Sequence, residues 1–275
     1  MARFDEFEGM LEREKYTEDD LKAMTAELNM RGCSGLEFSL ADGDITLEKC
    51  NSKELKRLVI PNQVYWISTN CFQDCGLEHV VLPKNLEYLA PGAFDGCSNL
   101  QSCKIPDGVT KISRRVFKNC TSLERLVLPE ELDNLGSEAF YGCAKLKEIE
   151  IPENVEEIGS RCFYLCNDLT DVTLPEYIEV IPAHCFYGCT SLTRMYIPEN
   201  VSMLDEECFG GCINLKEIEI AGYISSFKNP FKGCTGLSTV YLHNLRDYKA
   251  VEKVLQALPQ NIKLVTNKGN KYTKG

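Results

Sequence analysis

Fifteen cysteines and three histidines are the side chains of this 275-residue chain best suited to nucleophilic, redox or metal chemistry. Eight cysteines stand three residues after a phenylalanine, at positions 75, 97, 120, 143, 166, 189, 212 and 234. Four more, Cys71, Cys162, Cys185 and Cys208, stand immediately before a phenylalanine, where Ala93 and Ala139 occur elsewhere. Zinc sites favour C-x-x-C spacing, and pairs such as Cys162 and Cys166 are four apart. An odd total argues against a closed disulfide framework, and exchange with alanine argues for a small buried hydrophobe. His79, His184 and His243 are scattered; His184 adjoins Cys185, but a cysteine that points inward cannot pair with it. No G-x-x-x-x-G-K-[ST], G-x-S-x-G or H-E-x-x-H is present, and Asp42-Gly43-Asp44 lacks the remaining ligands of a calcium loop. No catalytic residue, metal ligand or cofactor is expected.

The spacing of these cysteines points to the elements that carry them. Phenylalanine recurs at 72, 94, 117, 140, 163, 186, 209 and 231, at intervals of 22 or 23. Leucine follows at 77, 100, 123, 146, 169, 192, 215 and 237, and proline ends most units, at 61, 83, 106, 129, 152, 175 and 198. A period near 23 containing Leu-x-x-Φ-x-Φ (Φ apolar) is the signature of a leucine-rich-repeat solenoid. In Leu146-Lys-Glu-Ile149-Glu-Ile151-Pro152, alternation puts both isoleucines on one face of a strand and the two glutamates on the other. Proline, lacking an N–H, ends the ladder. Val155 and Ile158 mark a second, shorter inward segment, and Phe+2, usually Gly, Asn or Asp, marks a tight corner that Leu165 breaks. One such unit cannot bury its apolar face alone, so units must stack, giving a phenylalanine column and a cysteine column. Thiols in such a column project in parallel, which is poor geometry for a bridge.

The net charge is −11. An acidic chain is a poor neutraliser of phosphates, so nucleic acid and anionic membrane surfaces are disfavoured. No run of 18 apolar residues suggests a membrane span. The acidic start, MARFDEFEGMLEREKY, reads as no secretory signal, and unpaired thiols suit a reducing compartment. The expected location is cytoplasmic, with the cell surface or secretion as the alternative should a leader precede these residues.

Residues 1–35 are expected as a helical N-terminal cap of two short amphipathic helices, the second opened by a capping box at Thr17 and Asp20. Residues 36–243 form the repeat array, with a hairpin lead-in at 36–54 turning at Asp42-Gly43. Residues 244–275 are expected as a helix–strand C-terminal cap, the helix over Asn244–Leu258 and the strand near Ile262–Val265, followed by a mobile basic tail. Units such as IPENVEEIGSRCFYLCNDLTDVTLP resemble the BspA-like leucine-rich repeats of bacterial and protist surface antigens, with Ile-Pro, Val-x-x-Ile-Gly, a core Phe and a following Cys and Leu. The resemblance covers about four-fifths of the chain. It implies the repeat fold and noncatalytic binding, often adhesion or contact with host proteins.

The outward positions of the main sheet are Leu+2 and Leu+4, the usual binding surface of leucine-rich-repeat folds. Arg57, His79, Arg125, Glu148, Asp171 and Arg194 are candidates from the first column, and Tyr196 and Tyr241 from the second. Tyr65, Trp66 and Tyr88 lie between inward positions of the second segment and form a separate aromatic candidate, with Trp66 expected to be partly exposed. Tyr141, Tyr164 and Tyr187 follow the core phenylalanine and should stack as a ladder on one edge. A scaffold for an unidentified protein partner fits best, because the core repeats while the outward residues vary. The alternatives are an adhesin for host protein or glycan, and a spacer that forms homo-oligomers.

Overall fold

The computed structural model describes residues 15–243, 254, 256, 258, 262–266 and 271–273. The helix α1 (Glu18–Met30) starts where the Thr17 hydroxyl accepts the Asp20 N–H and the Asp20 carboxylate accepts the Thr17 N–H at 2.8 Å. This reciprocal pair satisfies two N–H groups that a helix start leaves open. The apolar spacing of Met24 and Leu28 buries both in the core, where α1 packs beside the hairpin that follows. The other helix expected near the N-terminus lies outside the described residues. A hairpin follows, β1 (Leu36–Ala41) and β2 (Asp44–Cys50), turning through Asp42 and Gly43, both at positive φ.

Nine coils follow, beginning at Leu55, Leu77, Leu100, Leu123, Leu146, Leu169, Leu192, Leu215 and Leu237. Each contributes a parallel strand to a front sheet, from Arg57–Val59 in the first to Thr239–Leu242 in the ninth. The proline after it makes a turn in which its carbonyl accepts an N–H three residues on, as from Val155 to Pro152 at 3.0 Å. The chain then enters a two- to four-residue strand of a back sheet, which begins at Val64–Ile67 beside β2 and runs to Ser226–Phe227. In the eighth coil Ala221 stands in place of proline, and its N–H reaches the Ile197 carbonyl at 3.0 Å.

The eight phenylalanines are buried and stack from coil to coil, centroid to centroid 4.9–5.9 Å. The cysteine column has a polar reason beside its size. The Phe94 carbonyl accepts the Cys97 N–H at 3.1 Å and also the Cys120 thiol, from the next coil, at 3.2 Å. The same thiol-to-carbonyl contact repeats for Cys97, Cys143, Cys166, Cys189, Cys212 and Cys234. A carbonyl has two lone pairs, and alanine at Phe+3 would leave one unused. Burial pushes these thiols up, to about 12 for Cys97 and Cys189.

Phe+2 is at positive φ after each of the eight phenylalanines, Leu165 included, at φ +57°. Its side chain packs over Gly188, where a Cβ would meet Leu165 Cδ2 at 2.6 Å. A second left-handed column, unforeseen in the sequence, runs through Phe−2: Asn70, Gly92, Arg115, Glu138, Arg161, His184, Glu207 and Asn229. Backbone bonds such as Phe140 N–H to the Cys162 carbonyl (2.9 Å) run unbroken along this edge.

Both sheets, by contrast, are interrupted. The front sheet has no ladder between Arg125–Val127 and Glu148–Glu150, nor between Asp171–Thr173 and Arg194–Ile197. The back sheet breaks between Glu157–Ile158 and Val180–Ile181. At the far end Lys263–Thr266 adds to the front sheet parallel to Thr239–Leu242. Most of the helix expected over Asn244–Leu258 lies outside the described residues; Val254 and Leu258 are buried, and the Leu258 N–H donates to the Val254 carbonyl at 3.1 Å. In the tail expected to be mobile, Lys271–Thr273 instead pair antiparallel with Lys263–Val265.

Candidate protein-binding face

Strand alternation decides what the front sheet shows. Leu58, Val80, Cys103, Leu126, Ile149, Val172, Met195, Ile218 and Val240 point into the core, and their neighbours point out. Arg57, Arg125, Glu148, Asp171, Arg194 and Tyr196 are exposed; His79 and Tyr241 are half-buried. The register places Arg57, His79, Ser102 and Arg125 side by side in the first half, beside exposed Val59, Val81 and Val127. In the second half Arg194 is beside Glu217, and Tyr196, Glu219 and Tyr241 are consecutive partners.

Each break in the front sheet opens a cavity. Between the fourth and fifth coils one of about 530 Å³ is lined by Leu126, Leu128, Glu150 and Glu153, and explains why Leu126 and Leu128 are only partly buried. Between the sixth and seventh coils one of about 390 Å³ gathers Asp171, Arg194, Tyr196 and Tyr241 with Glu153, Glu176, Glu217 and Glu219. Four of the sequence candidates therefore share one site. Glu153 and Glu176 escaped sequence reasoning because they follow the strand-ending prolines, outside the alternating columns. Glu217 and Glu219 stood in those columns, and nothing in their type singled them out.

The site is strongly negative. Arg194 Nε lies 3.2 Å from Glu217 Oε2, and His243 Nε2 lies 2.7 Å from Glu219 Oε1. Burial, and then the charges of Glu176, Glu219 and Glu199, raise the Tyr196 phenol above its ordinary range.

The aromatic group on the back sheet divides. Trp66 and Tyr88 are register partners, 42% and 43% exposed. Tyr65 is a correction: it is buried, 5% exposed, and cannot offer a binding surface. In inner coils its position holds Glu87, Thr110, Asp133 or Glu156, all at least partly open. In the first coil Tyr16, just ahead of α1, brings its ring to 6.4 Å from that of Tyr65.

On the turn edge Tyr141, Tyr164 and Tyr187 do stack, at 4.7 and 4.9 Å. The ladder starts at Lys118, whose Nζ lies 4.7 Å from the Tyr141 centroid. Beside it Glu138 accepts from Arg115 Nε (2.9 Å) and Lys118 Nζ (2.6 Å). These two cations, Arg115 first, hold the Glu138 carboxyl down at about 2. His184 sits at the surface beside Tyr187 while Cys185 is fully buried, so the two side chains do not meet. Among the described residues no group of three or more His, Cys, Asp or Glu side chains is placed to hold a metal ion. Nor, among them, is any helix long and apolar enough to cross a membrane.

The BspA type leucine rich repeat region matches residues 45–170 and 156–250, in six copies. Among solved structures, the T. pallidum leucine-rich repeat protein is 32% identical with a TM-score of 0.62, over 66% of this chain and 88% of that one. A leucine-rich repeat protein from Bacteroides ovatus is 23% identical with a TM-score of 0.63, over 86% of this chain and 78% of that one, a likeness of fold alone. No curated protein is detectably similar.

Proposed function

Because this chain belongs to the BspA-type leucine-rich-repeat family, we propose that it is a noncatalytic protein-interaction scaffold that holds its partner on the front sheet. One observation carries this reading. Inward residues of the front strands are apolar in all nine coils, while the outward ones change in charge, size and polarity from coil to coil. Stacking needs only the first set; the second is free to be shaped by a partner. Arg194, Tyr196 and Tyr241 are of the types that dominate interface energetics.

The test compares capture of proteins from a native lysate by three forms of the chain. A front-face form carries Arg125→Ala, Tyr196→Ala and Tyr241→Ala; a back-face form carries Lys111→Glu and Tyr177→Ala. A partner held by the wild type and the back-face form, and lost from the front-face form, supports the proposal. Equal capture by all three refutes it.

A further inference from the structure

The cavity between the sixth and seventh coils has a more particular chemistry than the rest of the front sheet. Tyr196, Glu219 and Tyr241 are direct partners across three neighbouring strands. Neighbouring strands are about 4.8 Å apart, so the two tyrosines stand about 10 Å apart with a carboxylate between them. A cation–π contact reaches about 6 Å from a ring centroid, so an ammonium or guanidinium group lying over that carboxylate is within reach of both rings. Glu219 stands between the two rings, its carboxylate oriented by His243.

The surrounding charge selects the same occupant. Glu153, Asp171, Glu176 and Glu217 line the cavity as well, against one guanidinium, Arg194, which Glu217 holds. A neutral sugar or apolar side chain would strip water from these carboxylates without countercharge, which is costly. A nucleic acid would be repelled.

We propose that this cavity receives a basic peptide segment of a partner protein, with one Lys or Arg side chain entering between Tyr196 and Tyr241 and its charge over Glu219. The proposal rests on the front sheet being the interaction face and names the partner's chemistry there. An extended peptide would lie across the sheet, its next basic residue reaching Asp171 or Glu176.

The probe is fluorescein-labelled decalysine, read by fluorescence anisotropy on the full chain at physiological salt, with labelled decaglutamate and a neutral oligosaccharide as other ligands. Saturable decalysine binding is expected, weakened about tenfold by Tyr196→Ala and by Glu219→Gln. Tyr196→Phe keeps the ring and should keep the affinity. Glu156→Gln with Glu157→Gln, exposed acidic changes on the back face, should leave it unchanged. Absence of decalysine binding overturns the proposal. So does equal weakening by the cavity and control variants, or binding of decaglutamate or the oligosaccharide through Tyr196 in its place. If decalysine fails while a lysate partner is still lost from the front-face form, the basic peptide is wrong and the interaction face stands. If decalysine binds as described and front-face changes spare every partner, the cavity stands and the broader reading falls.

Discussion

Replacing Phe140 with alanine removes a ring from the middle of the stacked column. The ring is fully buried, 5.9 Å from that of Phe117 and 5.4 Å from that of Phe163. Phenylalanine-to-alanine changes in a packed core cost about 3–5 kcal/mol, the transfer of the ring plus the cavity it leaves. Relaxation should be limited here, because the Phe140 N–H is tied to Cys162 and its carbonyl accepts both the Cys143 N–H and the Cys166 thiol. The upper half of that range is therefore expected. Phe140→Leu, which refills most of the space, should cost about 1–1.5 kcal/mol. The assay is urea unfolding followed by far-ultraviolet circular dichroism, with the exposed Tyr177→Ala as reference. Repeat arrays can lose all-or-none behaviour, so the fit for the variant includes an intermediate in which the coils on one side of Phe140 unfold first. A cost for Phe140→Ala no larger than that for Tyr177→Ala would refute the stacked-column account.

Three further outcomes follow from the same structure. Trp66→Ala should change stability by less than about 0.5 kcal/mol, as exposed sites do, whereas Tyr65→Ala should cost about 3 kcal/mol; comparable losses in a denaturant melt would contradict the burial difference between these neighbours. Glu138 has a folded carboxyl held down at about 2; its contribution to stability is fully present above the unfolded value of about 4.3 and is lost as pH falls through about 2. The stability gap between wild type and Glu138→Gln should therefore be constant near neutrality and close in acid, and a gap that widens on acidification would reverse the sign of the argument. Half-buried Cys33, and Cys50, whose thiol a hydrogen bond from Cys75 holds below its ordinary range, should react first with a thiol reagent in the native protein. The other thirteen should react only on unfolding, and rapid reaction of all fifteen would empty the cysteine column of its meaning.

Much of this architecture was legible in one dimension. The recurrence of phenylalanine every 22 or 23 residues announced coils, alternation around Ile149 announced which residues face out, and Asp42-Gly43 announced the hairpin. Thr17 and Asp20 announced the start of α1. Such features depend on sterics and hydrogen bonds within a few residues, so the local text contains them. The left-handed Phe−2 column was not legible, because Arg115, Glu138, Arg161, His184 and Glu207 are not residues that ask for positive φ. Their conformation is imposed by the coil-to-coil bonds on either side.

The outward candidates show the same division. Their exposure followed from period two, and Tyr65 failed because a neighbour from outside the array, Tyr16, covers it. Which candidates would meet was decided only when the coils stacked. The stacked coils leave two gaps in the front sheet, and at one of them Asp171, Arg194, Tyr196 and Tyr241 line a shared cavity with two glutamates from the proline turns. The chain's own order determined that there would be a stack and which side chains would line its faces. Where that stack parts is a sum over contacts between residues 21 or more apart, and a one-dimensional period carries no record of that sum.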